Sequence, residues 1–273
     1  MLVRKTRAGL AFALIALLIA SCSSAPRAPA PPKEPATSPL RVAVPPDAPP
    51  YAFRQGNELV GLEVDFAHEL AAALGRPLDV LPVAFADLVP TLLAGRADLA
   101  MAGMTITAAR EVRIAFSDPY LRSGLIAIMR REDAGRYQTP RSVLEAAGQI
   151  GVVAATTGER FVRERAPYAS VLVYPTALAA VTELRQRRVD LVVHDAPVGI
   201  WFVSADEANL AALLKPLDEE QLAWGLSRSD EALRTAVNGA LARWRTDGTL
   251  NRILARWIPY WQRLEQGGGG AGK

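Results

Sequence analysis

Cysteine is nearly absent from this chain: Cys22 is the only one in 273 residues. No disulfide can form within the chain, so packing alone must hold the fold, whatever the redox compartment. Histidine is almost as scarce, with His68 and His194 only. Without a second cysteine a His/Cys zinc cluster is excluded, and no metal or other cofactor is expected. The G-x-S-x-G nucleophile elbow and the H-E-x-x-H zinc helix are both missing. Residues 267–273 match the G-x-x-x-x-G-K part of a phosphate loop, but no strand precedes them and no Ser/Thr follows. The apolar run at 10–20 is shorter than the about 20 residues that span a bilayer.

That run is nevertheless the first informative feature present. Arg4, Lys5 and Arg7 precede it, and Ile19-Ala20-Ser21-Cys22 ends it. A basic n-region, an apolar h-region and small residues make an export signal. Its ending resembles a bacterial lipoprotein signal, which implies acylation (palmitate) at Cys22 and a mature chain starting there. An ordinary secretory signal with an incidental cysteine is the alternative. Loss of 1–21 would remove three basic residues from 31 and leave 28 basic against 28 acidic side chains. The basic pI therefore gives no support for nucleic-acid binding. Residues 22–39 are proline-rich and read as a tether, which at about 3.1 Å per residue reaches roughly 50 Å. Residues 265–273 read as a flexible glycine tail.

Between these ends, short apolar runs alternate with helical patterns. Strands are expected at 40–44, 78–83, 98–101, 124–129, 150–153 and 191–193. Helices are expected from Val64 to a stop at Gly75, from an Asp87 cap to Gly95, after a Ser142/Glu145 capping box, and from Thr176 to about Arg187. The stretch 230–261 reads as helix broken at Asp247-Gly248. Alternation of this kind argues for an α/β fold with mostly parallel sheets. The length allows two lobes of about 100 residues each.

Three segments carry chemistry. In Met101-Ala-Gly-Met-Thr-Ile-Thr-Ala-Ala-Arg110, a buried strand ends, Gly103 allows close backbone approach and Thr107 caps a new helix. Arg110 in that first turn suits a docked carboxylate held by two hydrogen bonds, or else pairs on the surface with Glu111. In Leu191-Val-Val-His-Asp195-Ala-Pro, an acid stands at the carboxyl end of a buried strand, where open α/β sheets bind ligands. Asp195 either accepts from an ammonium group or caps the helix near Pro197; His194 reads as a strand-end residue with a satisfied ring. Ala155-Thr-Thr-Gly-Glu159 is a strand-to-helix turn with backbone donors for an anion. Tyr51, Phe53 and Phe85 can stack on a ligand's apolar part or serve as core. Trp244, Trp257 and Trp261 read as packing.

Taken together, these segments resemble the bacterial extracellular solute-binding proteins of the polar amino-acid type, over nearly all of 40–262. The resemblance rests on Val42 to Phe53, Leu59-Val-Gly-Leu-Glu-Val-Asp65, Val89 to Asp98, Ala102-Gly-Met-Thr-Ile-Thr107 through Arg110, Phe116-Ser-Asp-Pro-Tyr120 to Gly124, Thr156-Thr-Gly158, Arg188-Val-Asp190, His194-Asp-Ala-Pro197, and Asp247-Gly-Thr-Leu250 with Trp257. It implies a two-lobe periplasmic-binding-protein fold with a two-strand hinge, one lobe holding 40–127 and 224–264 and the other 128–223. It also implies that Arg110 binds an α-carboxylate with backbone donors near Thr105 and Thr157. Asp195 would bind the α-ammonium with Thr105 and the Gly103 carbonyl, while Phe85 covers the side chain and Tyr51 joins the site.

Pro45, Ala48 and Ala154 stand where family members selecting glutamine or basic amino acids carry side-chain-reading groups, so a neutral amino acid is expected; Asp47 is the residue that a loop shift would aim into the cleft. The implied partners are a free amino acid, an ABC permease and the membrane through the lipid on Cys22, with no nucleic acid and a monomeric chain. The expected location is the periplasmic or extracellular face of the membrane. Two alternatives remain: a cyclohexadienyl dehydratase acting on prephenate or arogenate, for which Glu159 is a conceivable acid, and a stand-alone amino-acid-sensing lipoprotein.

Overall fold

The computed structural model describes residues 38–260 and 262. The signal, most of the tether, Cys22 and the glycine tail lie outside them. Among the described residues no helix is long and apolar enough to cross a membrane.

The alternation read from the sequence becomes one continuous nine-stranded sheet. On one side, Leu40–Val44 runs parallel to both Leu78–Pro82 and Leu99–Thr105. On the other, Gln149–Val153 runs parallel to Ser170–Tyr174 and Leu191–Asp195. Two long antiparallel strands, Leu121–Arg130 and Leu210–Leu226, stand between these parallel sets and pair with each other. Their register shifts between Leu213 and Asp218, around Pro216, which has no N–H to give to a ladder. The crossing is tight: a Cβ on Gly124 would lie 2.5 Å from the Asp218 carbonyl oxygen. This is the α/β, mostly parallel architecture expected, with two halves joined by two strands.

Helices cover the sheet because their apolar faces match it. Leu62–Leu74 buries Leu62, Phe66, Ala67 and Leu70, and Ala177–Arg185 buries Ala180, Val181 and Leu184. Thr176 caps the latter by accepting from Ala179 N, as the sequence indicates. The first half is centred on aromatics: Trp224, fully buried, lies 5.4 Å from both Phe66 and Tyr120, ring centre to ring centre.

Several local expectations are corrected. The capping box is Thr139 with Ser142, both reciprocal bonds present; Glu145 instead pairs with Arg141. The strand expected at 98–101 runs from Leu99 to Thr105, and the terminal helices are Glu231–Asp247 and Thr249–Trp257, ending short of 261. Asp87 occupies an N-cap position without a side-chain bond, and a 3₁₀ turn, Phe85–Asp87, precedes the helix.

Candidate functional site

The first wall of the site is the end of Leu99–Thr105, whose seven residues are all buried. Gly103 has φ 59 and supports the Tyr51 ring: a Cβ there would lie 2.3 Å from Tyr51 Cζ. Only glycine meets both demands cheaply. The Gly103 N–H donates to Glu63 Oε1 at 2.6 Å, the same oxygen that accepts from Tyr120 Oη at 2.6 Å; Glu63 Oε2 accepts from Trp224 Nε1 at 2.9 Å. Burial pushes the Glu63 carboxyl up to about 7 even though all three hydrogen bonds oppose it.

Beyond Thr105 the chain turns into the short helix Ala108–Glu111, capped by the Thr107 hydroxyl, which accepts from Arg110 N at 3.3 Å. The Arg110 guanidinium does not pair with Glu111. It donates to Thr105 O at 2.9 Å and, across the opening, to Ala155 O at 3.2 Å, with Cζ 5.5 Å from the centre of the Phe85 ring. Ala155 itself has φ 61, a left-handed conformation that costs a non-glycine residue of order 1–3 kcal/mol. That conformation presents its carbonyl to Arg110, while its N–H is taken by Glu159 Oε2 at 2.9 Å.

The second wall comes from the other parallel set. Thr156 caps Thr157–Arg165 by accepting from Glu159 N at 3.2 Å, so Thr157 opens the helix. Asp195 ends Leu191–Asp195 and holds the N-cap position of Ala196–Ser204, but its side chain makes no capping bond. The carboxylate is therefore left for the cavity. His194 Nδ1 accepts from Asp195 N at 2.8 Å, so the neutral ring carries its proton on Nε2. Burial pushes that ring down to about 4 and keeps it uncharged.

Tyr51, Phe85, Gly103, Thr105, Arg110, Thr157 and Asp195 all line one open cavity. The seven residues named from the sequence are thus brought together. Phe53 is not among them: it packs on Trp201 and Trp257, at 5.2 and 5.9 Å between ring centres. Glu159 is a first-turn acid bound to Ala155 N and Arg163, not a cavity acid. Asp47 lines the cavity without any loop shift, and burial raises its carboxyl against a backbone hydrogen bond.

The electrostatics centre on three groups. Burial lowers the Arg110 guanidinium, and the charges of Asp195 and Glu220 hold it up. Burial raises the Asp195 carboxyl, and Arg110 opposes that rise. Glu220 was not anticipated. It lies in Asp218-Glu219-Glu220, which reads as a solvated acidic run, yet it shares the buried strand face of Leu222 and Trp224. Glu63 was missed as a site residue because its role depends on three donors distant in sequence.

Known proteins resemble this chain over most of its length. The family model of bacterial extracellular solute-binding proteins, family 3, matches residues 40–260. A cyclohexadienyl dehydratase of Pseudomonas aeruginosa is 32% identical over 228 residues, covering 81% of this chain and 83% of that protein. The L-cystine-binding protein TcyJ of Escherichia coli is 28% identical over 212 residues, covering 77% and 79%. Among solved structures, an ancestral arginine-binding protein bound to glutamine superposes with a TM-score of 0.75 at 29% identity, covering 81% of this chain and 98% of that one.

Proposed function

The chain belongs to the bacterial extracellular solute-binding proteins of family 3, and on that premise we propose that it clamps an amino-acid zwitterion for an ABC-type uptake system. The observation that carries this reading is the cavity itself: a half-buried guanidinium from one half and a buried, uncapped carboxyl from the other face a single small space. Arg110 takes the α-carboxylate together with backbone N–H groups at Thr157. Asp195 takes the α-ammonium. Hydrogen bonds to charged groups contribute about 1.5–3 kcal/mol each, so three or four of them plus aromatic burial reach the roughly −8 kcal/mol of micromolar binding. Both sets of contacts exist only when the halves are closed, so ligand shifts the hinge equilibrium toward closure. The hinge falls where the two long strands pass between lobe 40–127 plus 224–264 and lobe 128–223.

A neutral ligand side chain suits the apolar part of the cavity lining, which includes Ala48, Phe85, Ala102, Val153, Ala177 and Val198. Asp47 also lines the cavity. A calorimetric panel of the amino acids tests the proposal; tight binding of arginine or lysine alone would refute the neutral ligand, and no binding at all would refute the clamp. Acylation at Cys22 would hold the monomer at the periplasmic or extracellular face of the membrane, within reach of a permease that reads the closed shape.

A second reading is dehydration of a cyclohexadienyl ring, as the name of the Pseudomonas relative suggests. It is favoured by Glu220, a buried carboxyl beside the cavity threonines. Incubation with prephenate separates the two: absorbance of phenylpyruvate would support the enzyme, and its absence the binder.

A further inference from the structure

Glu220 lies on Leu210–Leu226, between the two halves, and is 5% exposed. Its Oε1 accepts from Thr105 Oγ1 at 2.9 Å and also from the Thr157 hydroxyl. Thr105 ends a strand of one half and Thr157 opens a helix of the other, and both line the ligand cavity. Glu220 Oε2 is buried and has no hydrogen-bond partner. One oxygen therefore serves two donors while the other has none, a poor setting for a full negative charge.

Among the described residues Glu220 makes no ion pair, its partners being the two threonine hydroxyls. Arg110, on Ala108–Glu111, also faces Asp195 at the end of Leu191–Asp195, so one guanidinium serves two acids. His194, beside Asp195, is neutral, and the Tyr51 hydroxyl is buried without a partner. On its own strand Asp218 and Glu219 precede Glu220, and all three line an adjoining polar hollow with Arg160, Glu164 and Arg165 of Thr157–Arg165.

We propose that Glu220 is a positioning residue that ties the two cavity threonines together in the closed cleft and carries a proton there, so that closing on an amino acid takes up one proton from water. The inference rests on the clamp reading above. Burial and then the charge of Asp195 hold the Glu220 carboxyl above its ordinary range, against the two threonine hydroxyls and Arg110. Opening the hinge parts Thr105 from Thr157 and admits water, which returns the group to the ordinary carboxylate range. The closed form then binds more protons than the open one, so affinity falls as pH rises, by up to about tenfold per unit. The tie also sets hydrogen-bond polarity. Both threonines spend their hydrogens on Glu220, so their oxygens present lone pairs to the ammonium side of the ligand.

The test is a thermal-shift panel of the proteinogenic L-amino acids at about pH 6.5, 7.5 and 8.5 on the wild-type chain and Glu220→Gln. Calorimetry of the amino acid giving the largest shift follows, in phosphate and in Tris. Wild-type affinity should fall at least about tenfold across this range, with one proton taken up at the lower end, while Glu220→Gln shows neither effect. A Glu220→Gln protein that keeps the wild-type slope would assign the proton to Asp195 and overturn the proposal, as would a flat wild-type profile with firm binding. If no amino acid binds the wild type at any pH, the clamp reading falls and this inference with it. Should Glu220→Gln fail to fold by circular dichroism, Thr157→Val decides: losing a donor to the carboxylate must move the pH dependence upward, and an unmoved profile overturns the proposal.

Discussion

Replacing Glu63 by glutamine should exchange stability at acid pH for stability at alkaline pH. The side chain is fully buried, and its two oxygens collect Gly103 N–H, Tyr120 Oη and Trp224 Nε1. Glutamine keeps one acceptor oxygen, so its amide nitrogen must face one of these donors, most simply the Trp224 indole. Losing that bond costs about 1–3 kcal/mol. The wild-type carboxyl has the opposite liability at high pH. Its folded-state value is raised from 4.5 to about 7, so the folded state binds the proton more tightly than the unfolded one. The associated stability is present below about pH 4.5 and lost as pH rises through 7, a swing of about 3 kcal/mol at about 1.4 kcal/mol per pH unit. Glu63→Gln has no such swing. Urea unfolding should therefore show the variant about 1–2 kcal/mol less stable near pH 5 and as stable as wild type or more so near pH 8.5. Asp195 and Glu220 titrate in both proteins, so the difference between the curves isolates Glu63. Curves that stay parallel across the whole range would show that burial does not raise this carboxyl.

Other expectations follow from the same packing. Gly103→Ala places a methyl 2.3 Å from the Tyr51 ring at φ 59, so it should cost about 2–4 kcal/mol in urea unfolding, combining overpacking with left-handed strain. His194, held down to about 4 by burial, contributes stability that is present above about pH 6.5 and lost as pH falls toward 4. Its ring carbon resonances should keep their neutral positions from about pH 8 to pH 5.5, and a titration in that interval would contradict its burial.

Much of this was legible from local rules, because capping and periodicity act within a few residues. Thr107, Thr156 and Thr176 each accept from the N–H three residues on. The turn after a fully buried strand placed Gly103, Thr105 and Arg110 at one end of the sheet, and a strand-end acid placed Asp195 beside them. What stayed hidden depended on distant partners. The long strand Leu210–Leu226 contains Lys215, Pro216 and three consecutive acids, and its alternation is broken by the register shift, so no strand pattern shows there. Glu220 and Glu63 are recognised only once the fold delivers donors to them, from Thr105 and Thr157 in one case and from Gly103, Tyr120 and Trp224 in the other. Phe53 was separable from Tyr51 only by seeing Trp201 and Trp257 arrive against it.

The opposed charges of Arg110 and Asp195 are the core of this account, and titration calorimetry of Arg110→Ala against the best-binding amino acid addresses them most directly. With the guanidinium gone, two charge-assisted hydrogen bonds to the ligand carboxylate disappear, so affinity should fall by about 10²–10⁴-fold while the circular dichroism spectrum is unchanged. Affinity equal to wild type in a folded Arg110→Ala protein would place the bound amino acid elsewhere.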